Sequence, residues 1–155
     1  YDKDVPVSAD VENAADWEEI EAAVDSGAWA TVSGKDIASA FPIKDADKAK
    51  NFTAANSTSI KGYGKREIWG VSEENLKMKL RTNVADVNGM LLAVNEIADS
   101  GHDVIFRSEA RGGAFIVKGT DIQYQMGSKA TVTNLNRVRG VWKQKMWVPK
   151  RKSDF

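Results

Sequence analysis

The chain has no cysteine and one histidine, His102. The first absence removes disulfides, thiolate nucleophiles and cysteine-ligated zinc together. The second leaves little room for a histidine-based metal site or a Ser-His-Asp triad. No apolar run approaches the ~18 residues that a membrane helix needs, and no signal peptide is visible. The expectation is a cytoplasmic protein with no membrane partner. Net charge is also missing, with 22 Lys+Arg against 22 Asp+Glu, so overall charge favours neither nucleic acid nor membrane. There is no glycine-rich phosphate loop and no metal-ligand cluster. No metal and no cofactor are expected, and chemistry must come from carboxylates, hydroxyls, amines or backbone groups.

What is present is ordinary for a globular chain: 155 residues, 42% hydrophobic and 28% charged, enough for one domain with a real core. The chain opens at Tyr1 rather than Met, which fits an excised piece of something longer. The neutral total hides a polarity. Residues 1–22 carry eight acids against Lys3, net −7, and residues 128–155 carry eight cations against Asp154, net +7. Two solvated tails would account for this. So would two ends that attract each other, within a subunit or across a dimer. The expected organisation is an acidic extension over 1–16, a domain over 17–127, and a basic segment over 128–155 that is a dimer strand or a tail.

Short strands dominate. Over residues 17–24, Ile20, Ala22 and Val24 fall on one face at period two, with Glu19 and Glu21 on the other. Residues 32–41 read as a loop with a short helical turn, closed by Pro42. Residues 51–69 read as a β-hairpin arm with a glycine-containing section, and 71–75 as a turn. Leu76-Lys77-Met78-Lys79-Leu80-Arg81 alternates cleanly as a half-buried strand. Met90-Leu91-Leu92-Ala93-Val94 suits a strand buried on both faces. Residues 95–100 suit one or two helical turns stopped by Gly101. Further strands are expected at 104–106, 114–117, 131–133 and 141–148, which together predict an all-β barrel or sandwich.

One stretch stands out. Val24-Asp25-Ser26-Gly27-Ala28 sets a carboxylate on a tight turn between two apolar runs, where it is costly unless bonded or paired. Gly27 permits a sharp turn and Ser26 offers a hydroxyl to hold it. Alone, the tripeptide is most simply an Asp-Ser-Gly turn at a strand end.

A second block changes its weight. Residues 91–106 run Leu-Leu-Ala-Val, a short helix, then Gly101-His102-Asp103-Val104-Ile105-Phe106. With Asp25-Ser26-Gly27-Ala28 upstream, and Ala54-Ala55-Asn56 and Ile60-Lys61-Gly62-Tyr63-Gly64 between, the chain resembles retropepsin-like aspartic proteases. It is closest to the protease region of Copia-type retroelement polyproteins, over roughly residues 20–117. Residues 139–148 look like sequence that follows the protease in some such polyproteins.

That resemblance implies a closed all-β barrel with one short helix, one lobe per chain, and a homodimer cleaving a polypeptide substrate. Asp25, Ser26 and Gly27 would form the catalytic turn. Ala28, Trp29, Ala55, Asn56, Ile60, Gly62, Leu91 and Leu92 would contact the peptide, with the 56–64 segment closing over it as a flap. Amide hydrolysis of this kind needs two carboxylates sharing one proton, and like charges that close cannot both ionise. A chain with one signature must therefore dimerise, Asp25 meeting its symmetry mate.

Three positions depart from the family, one of them Ala93, which stands where a Gly is frequent and is small enough to be tolerated. Many retroviral relatives carry an acid four residues after the catalytic Asp and an Arg after the small residue of the apolar motif; here these are Trp29 and Val94. An apolar contact between them is the expected replacement. A second Asp99-Ser100-Gly101 reads as a helix end rather than a second catalytic turn. His102 is expected at the surface or in a cap. A catalytically weak dimerisation or peptide-binding domain is the alternative function. A further one is nucleic-acid binding by the basic end, with Trp142 and Trp147 among its cations.

Overall fold

Two long strands make the frame of the molecule, whose computed structural model describes residues 17–74, 76–147 and 149. β5 (Gly62–Val71) and β6 (Lys77–Ala85) pair antiparallel. Along β5, Gly64, Arg66 and Ile68 are buried while Lys65 and Trp69 are exposed. That alternation is what burial of one sheet face requires. Three short strands complete the sheet: β1 (Ala22–Asp25), β2 (Val32–Ser33) and β7 (Met90–Ala93). The order is β1-β7-β2-β6-β5, with β2 parallel to β6 and antiparallel to β7, and β1 parallel to β7.

The sheet is open, with β1 and β5 as its edges. The expected closed barrel is therefore corrected to a mixed five-stranded sheet. The remaining described strands do not join the two edges, because each pairs only within a two-stranded ribbon. β3 (Phe52–Thr53) pairs with β4 (Ser59–Ile60), β8 (His102–Ile105) with β9 (Phe115–Lys118), and β10 (Asn136–Val138) with β11 (Val141–Lys143). The all-β class holds, with one short α-helix, α1 (Val94–Asp99).

Several boundaries shift. β1 begins at Ala22, yet Ile20, Ala22 and Val24 all pack on the core as their period-two spacing predicts. Residues 131–133 form no strand, and the expected strand over 141–148 is confined to β11, Val148 lying outside the described residues. β7 is not buried on both faces, since Leu91 is 37% exposed. His102 is buried rather than at the surface, its Nδ1 sharing a 3.1 Å hydrogen bond with the Ser100 hydroxyl.

The main core gathers Ala38, Ile68, Met90, Leu92 and Ile97, with Ile20, Val24, Phe41, Leu80, Val104 and Ile116 packed around it. Ile97 brings α1 down onto this cluster, and Gly101 (φ 84°) stops the helix in the left-handed conformation glycine adopts without steric cost. Two side chains tie residues 35–41 over the core. Arg66 donates to the carbonyls of Lys35 (3.1 Å) and Ile37, and Glu18 accepts from the Ala38 N–H (3.0 Å). A smaller cluster of Ala30, Phe52 and Ala85, with Val32, Ile60 and Val87, lies under the β3–β4 hairpin.

Candidate active site

Asp25 is the last residue of β1, in register with Ala93 at the end of β7. The two sequence blocks that carry the protease resemblance are thus adjacent strands. Past Asp25, itself a half-buried residue, the chain leaves the sheet. The turn is closed by the Gly27 N–H donating to Asp25 Oδ1 at 2.7 Å. That bond does the work expected of the Ser26 hydroxyl, and a Cβ on Gly27 would sit 3.2 Å from the same oxygen.

The loop from Asp25 to β2 is fastened from three sides. Asn95 Nδ2 donates to the Trp29 carbonyl (3.0 Å), and the Thr31 N–H donates to Glu96 Oε2 (3.0 Å). The Ala93 N–H donates to Thr31 Oγ1 (3.1 Å), while both the side chain and backbone N–H of Asn83 reach the Thr31 carbonyl at 3.0 Å. These groups lie about 50 to 65 residues away in sequence. Thr31, Ala93 and Asn95 are buried, where an unmade bond costs more than the same bond in water. These bonds tie the chain that follows the Asp25 turn to β6, β7 and α1.

The β3–β4 hairpin is built differently. Its turn is closed by Ala54 N–H to the Thr58 carbonyl, Ser57 N–H to the Ala54 carbonyl (both 2.9 Å), and Thr58 N–H to Asn56 Oδ1 (3.1 Å). Ala55 and Asn56 are exposed at its tip. Ile60 is half-buried against the smaller core cluster. Gly62 is needed for backbone proximity, because a Cβ there would lie 2.0 Å from the Lys50 carbonyl oxygen. Its N–H donates to Asn51 Oδ1 at 3.2 Å.

Trp29 joins the two halves. Its ring stacks on Phe52 at 5.3 Å between centroids, with 28° between planes, and is 50% exposed. Aromatic pairs at that separation add to simple burial. Asn95, the neighbour of Val94, reaches Trp29 through the carbonyl rather than the ring. Between the joined halves lies a cleft of about 390 Å³ lined by Trp29, Ala30, Phe52, Asn83 and Glu96, with Lys48, Lys50, Lys65 and Asp45 around them. Asp25 is not among its lining residues.

The structure therefore brings Asp25, Ser26, Gly27, Ala28 and Trp29 onto one turn. Leu91 and Leu92 alternate on β7. Leu91 is exposed, whereas Leu92 is buried in the main core and paired with Val24, unable to reach a peptide without unfolding the sheet. Phe52 and Asn83 escaped notice because neither belongs to a motif, and Asn95 and Glu96, although within the 91–106 block, were read only as helix; the roles of all four follow from long-range pairing. Asp99 lies at the end of α1, in a bidentate pair with Arg137. Asp99 is thus engaged away from the Asp25 turn.

Among the described residues no group of acidic, histidine or cysteine side chains could hold a metal, and no helix is long and apolar enough to cross a membrane. Comparison with models of protein families, with curated proteins and with solved structures returns no match to this chain.

Proposed function

We propose that the chain is one lobe of a retropepsin-like aspartic endopeptidase, active as a homodimer in which two Asp25 carboxylates share the catalytic work. What carries the reading is the pairing of β1 with β7, which sets Asp25 opposite Ala93 above a loop braced by Asn83, Asn95 and Glu96. A carboxylate meant for chemistry needs this kind of immobile support, since small displacements of a reacting group are costly in rate.

In the dimer, the ionised carboxylate takes a proton from water as the oxygen attacks the peptide carbonyl. The protonated partner donates to the carbonyl oxygen. As the C–N bond breaks, the first carboxyl passes its proton to the leaving amine while a hydroxyl of the tetrahedral species returns a proton to the second, leaving an acid product and the pair with its single shared proton. The β3–β4 hairpin, joined to the loop through Phe52 and Trp29, closes over an extended peptide and adds to it as a strand.

One carboxylate cannot be acid and base at once, so activity should depend on the dimer. Mixing wild-type chain with excess Asp25→Asn chain tests this. Heterodimers hold a single usable carboxylate, so cleavage per wild-type chain should fall as the variant is added. Cleavage indifferent to the variant would overturn the homodimeric site. Peptide binding without any cleavage would favour a catalytically silent domain.

A further inference from the structure

The basic C-terminal segment would be a tail if nothing held it. The structure instead seats its β10–β11 ribbon against α1 and the loop that follows the Asp25 turn. β10 and β11 are joined by Arg139 (φ 51°) and Gly140 (φ 80°). Two successive left-handed residues make the tight turn that suits the twist of a two-stranded ribbon. A Cβ on Gly140 would lie 2.7 Å from Asn95 Nδ2 and 3.4 Å from both the Cα and the carbonyl oxygen of Trp29. The turn therefore rests directly on the backbone that follows the Asp25 turn.

A second anchor lies beside it. Arg137 Nη1 donates to Asp99 Oδ1 at 2.6 Å and Nη2 to Asp99 Oδ2 at 2.7 Å, a planar fork on a planar carboxylate. Nη2 also reaches the Asn95 carbonyl at 3.4 Å. Trp142, the cross-strand partner of Arg137, stands with its ring centroid 5.9 Å from the guanidinium. Asn95 and Asp99 are one turn apart on α1 and present the same face. Asn95 in turn donates to the Trp29 carbonyl. Ribbon, helix and loop thus converge on Trp29, a residue that lines the cleft.

We infer that the C-terminal ribbon buttresses the peptide cleft from behind its lining, with Arg137 and Gly140 as positioning residues that hold Trp29 through Asn95. The inference rests on the cleft being the peptide site of the proposed enzyme. The Arg137–Asp99 pair is partly exposed, at 31% and 61% for the two side chains, and such pairs add little to global stability. Its loss should therefore be read at Trp29 and in the cleft rather than in overall unfolding.

The test uses the whole chain carrying Gly140→Ala, Arg137→Ala, Arg137→Lys, or the charge swap Asp99→Arg with Arg137→Asp. Amide hydrogen exchange at residues 29–31 is followed, with β5 and β6 as internal controls. Gly140→Ala and Arg137→Ala should speed exchange at 29–31 several-fold and leave the controls unchanged. Arg137→Lys keeps the charge without the fork and should recover only part of the protection. The charge swap should recover more than either of its single changes. For a cleaved peptide, KM should rise with kcat nearly constant. Unchanged exchange at 29–31, or equal acceleration in β5 and β6, overturns the inference. If exchange responds as described but no variant, nor the wild type, cleaves any peptide, the proposed activity fails while the ribbon's contact with Trp29 stands.

Discussion

The loop over residues 25–31 and the hairpin over residues 50–62 face each other across one cleft, yet they are held by opposite means. The loop borrows nearly all its hydrogen bonds from residues distant in sequence, at Asn83, Ala93, Asn95 and Glu96. The hairpin tip bonds almost entirely to itself. A loop braced by buried long-range bonds moves only when the core moves. The exposed hairpin tip, closed by local bonds, can move without disturbing the core, while its base is anchored through Phe52 and Ile60 in the smaller cluster. The Trp29–Phe52 stack joins loop and hairpin.

The contrast can be broken most severely from below. Ile97, 1% exposed, packs α1 onto the main core. Ile97→Ala should lower stability by about 2–5 kcal/mol, read by denaturant unfolding, and should loosen the 25–31 loop with it. A milder break is Thr31→Val, which keeps the shape but removes the acceptor for the Ala93 N–H. With both residues buried, the orphaned donor should cost about 1–3 kcal/mol. The same kind of change in the hairpin should barely register. Asn56→Ala removes the 3.1 Å bond to the Thr58 N–H at an exposed tip, and stability should stay within about 0.5 kcal/mol. A thermal shift from Asn56→Ala as large as that from Thr31→Val would erase the distinction.

The smallest effect concerns pH. Hydrogen bonding from Arg137 holds the Asp99 carboxyl below its ordinary value of 3.8. A carboxylate with a depressed folded-state pKa contributes above its unfolded value and loses that contribution as pH falls through the folded one. The ribbon's grip on α1 should therefore be intact at neutral pH and weaken only below pH 3.8, the carboxyl's ordinary value. Titration of the Asp99 carboxyl by NMR checks this; a midpoint above the ordinary carboxylate value would contradict it.

Much of what surrounds Asp25 was readable in the residues. Asp25, Gly101 and the alternation of Ile20, Ala22 and Val24 announce themselves locally, because turns, helix stops and one-sided burial leave short-range patterns. The pairing of 22–25 with 90–93 could be reached only through the resemblance, since parallel strands far apart in sequence carry no local register signal. For the same reason the two-residue β2, squeezed between β6 and β7, was invisible. The open edges were also hidden, because barrel closure depends on what lies beside β1 and β5, not on any strand's own sequence. The use of Arg137 and Gly140 against α1 and Trp29 was not legible either, because the segment's charges suit a dimer strand or a tail alike and carry no sign of a partner within the chain.

Cleavage by the whole chain and by its Asp25→Asn variant, on a mixed peptide library between about pH 4 and 7, bears most directly on the central claim. The variant removes the shared proton site and leaves the fold's long-range bonds untouched. Wild-type chain should cleave, and the variant should lose at least about 10²-fold of that activity with unchanged unfolding behaviour. Cleavage that survives Asp25→Asn would contradict that claim.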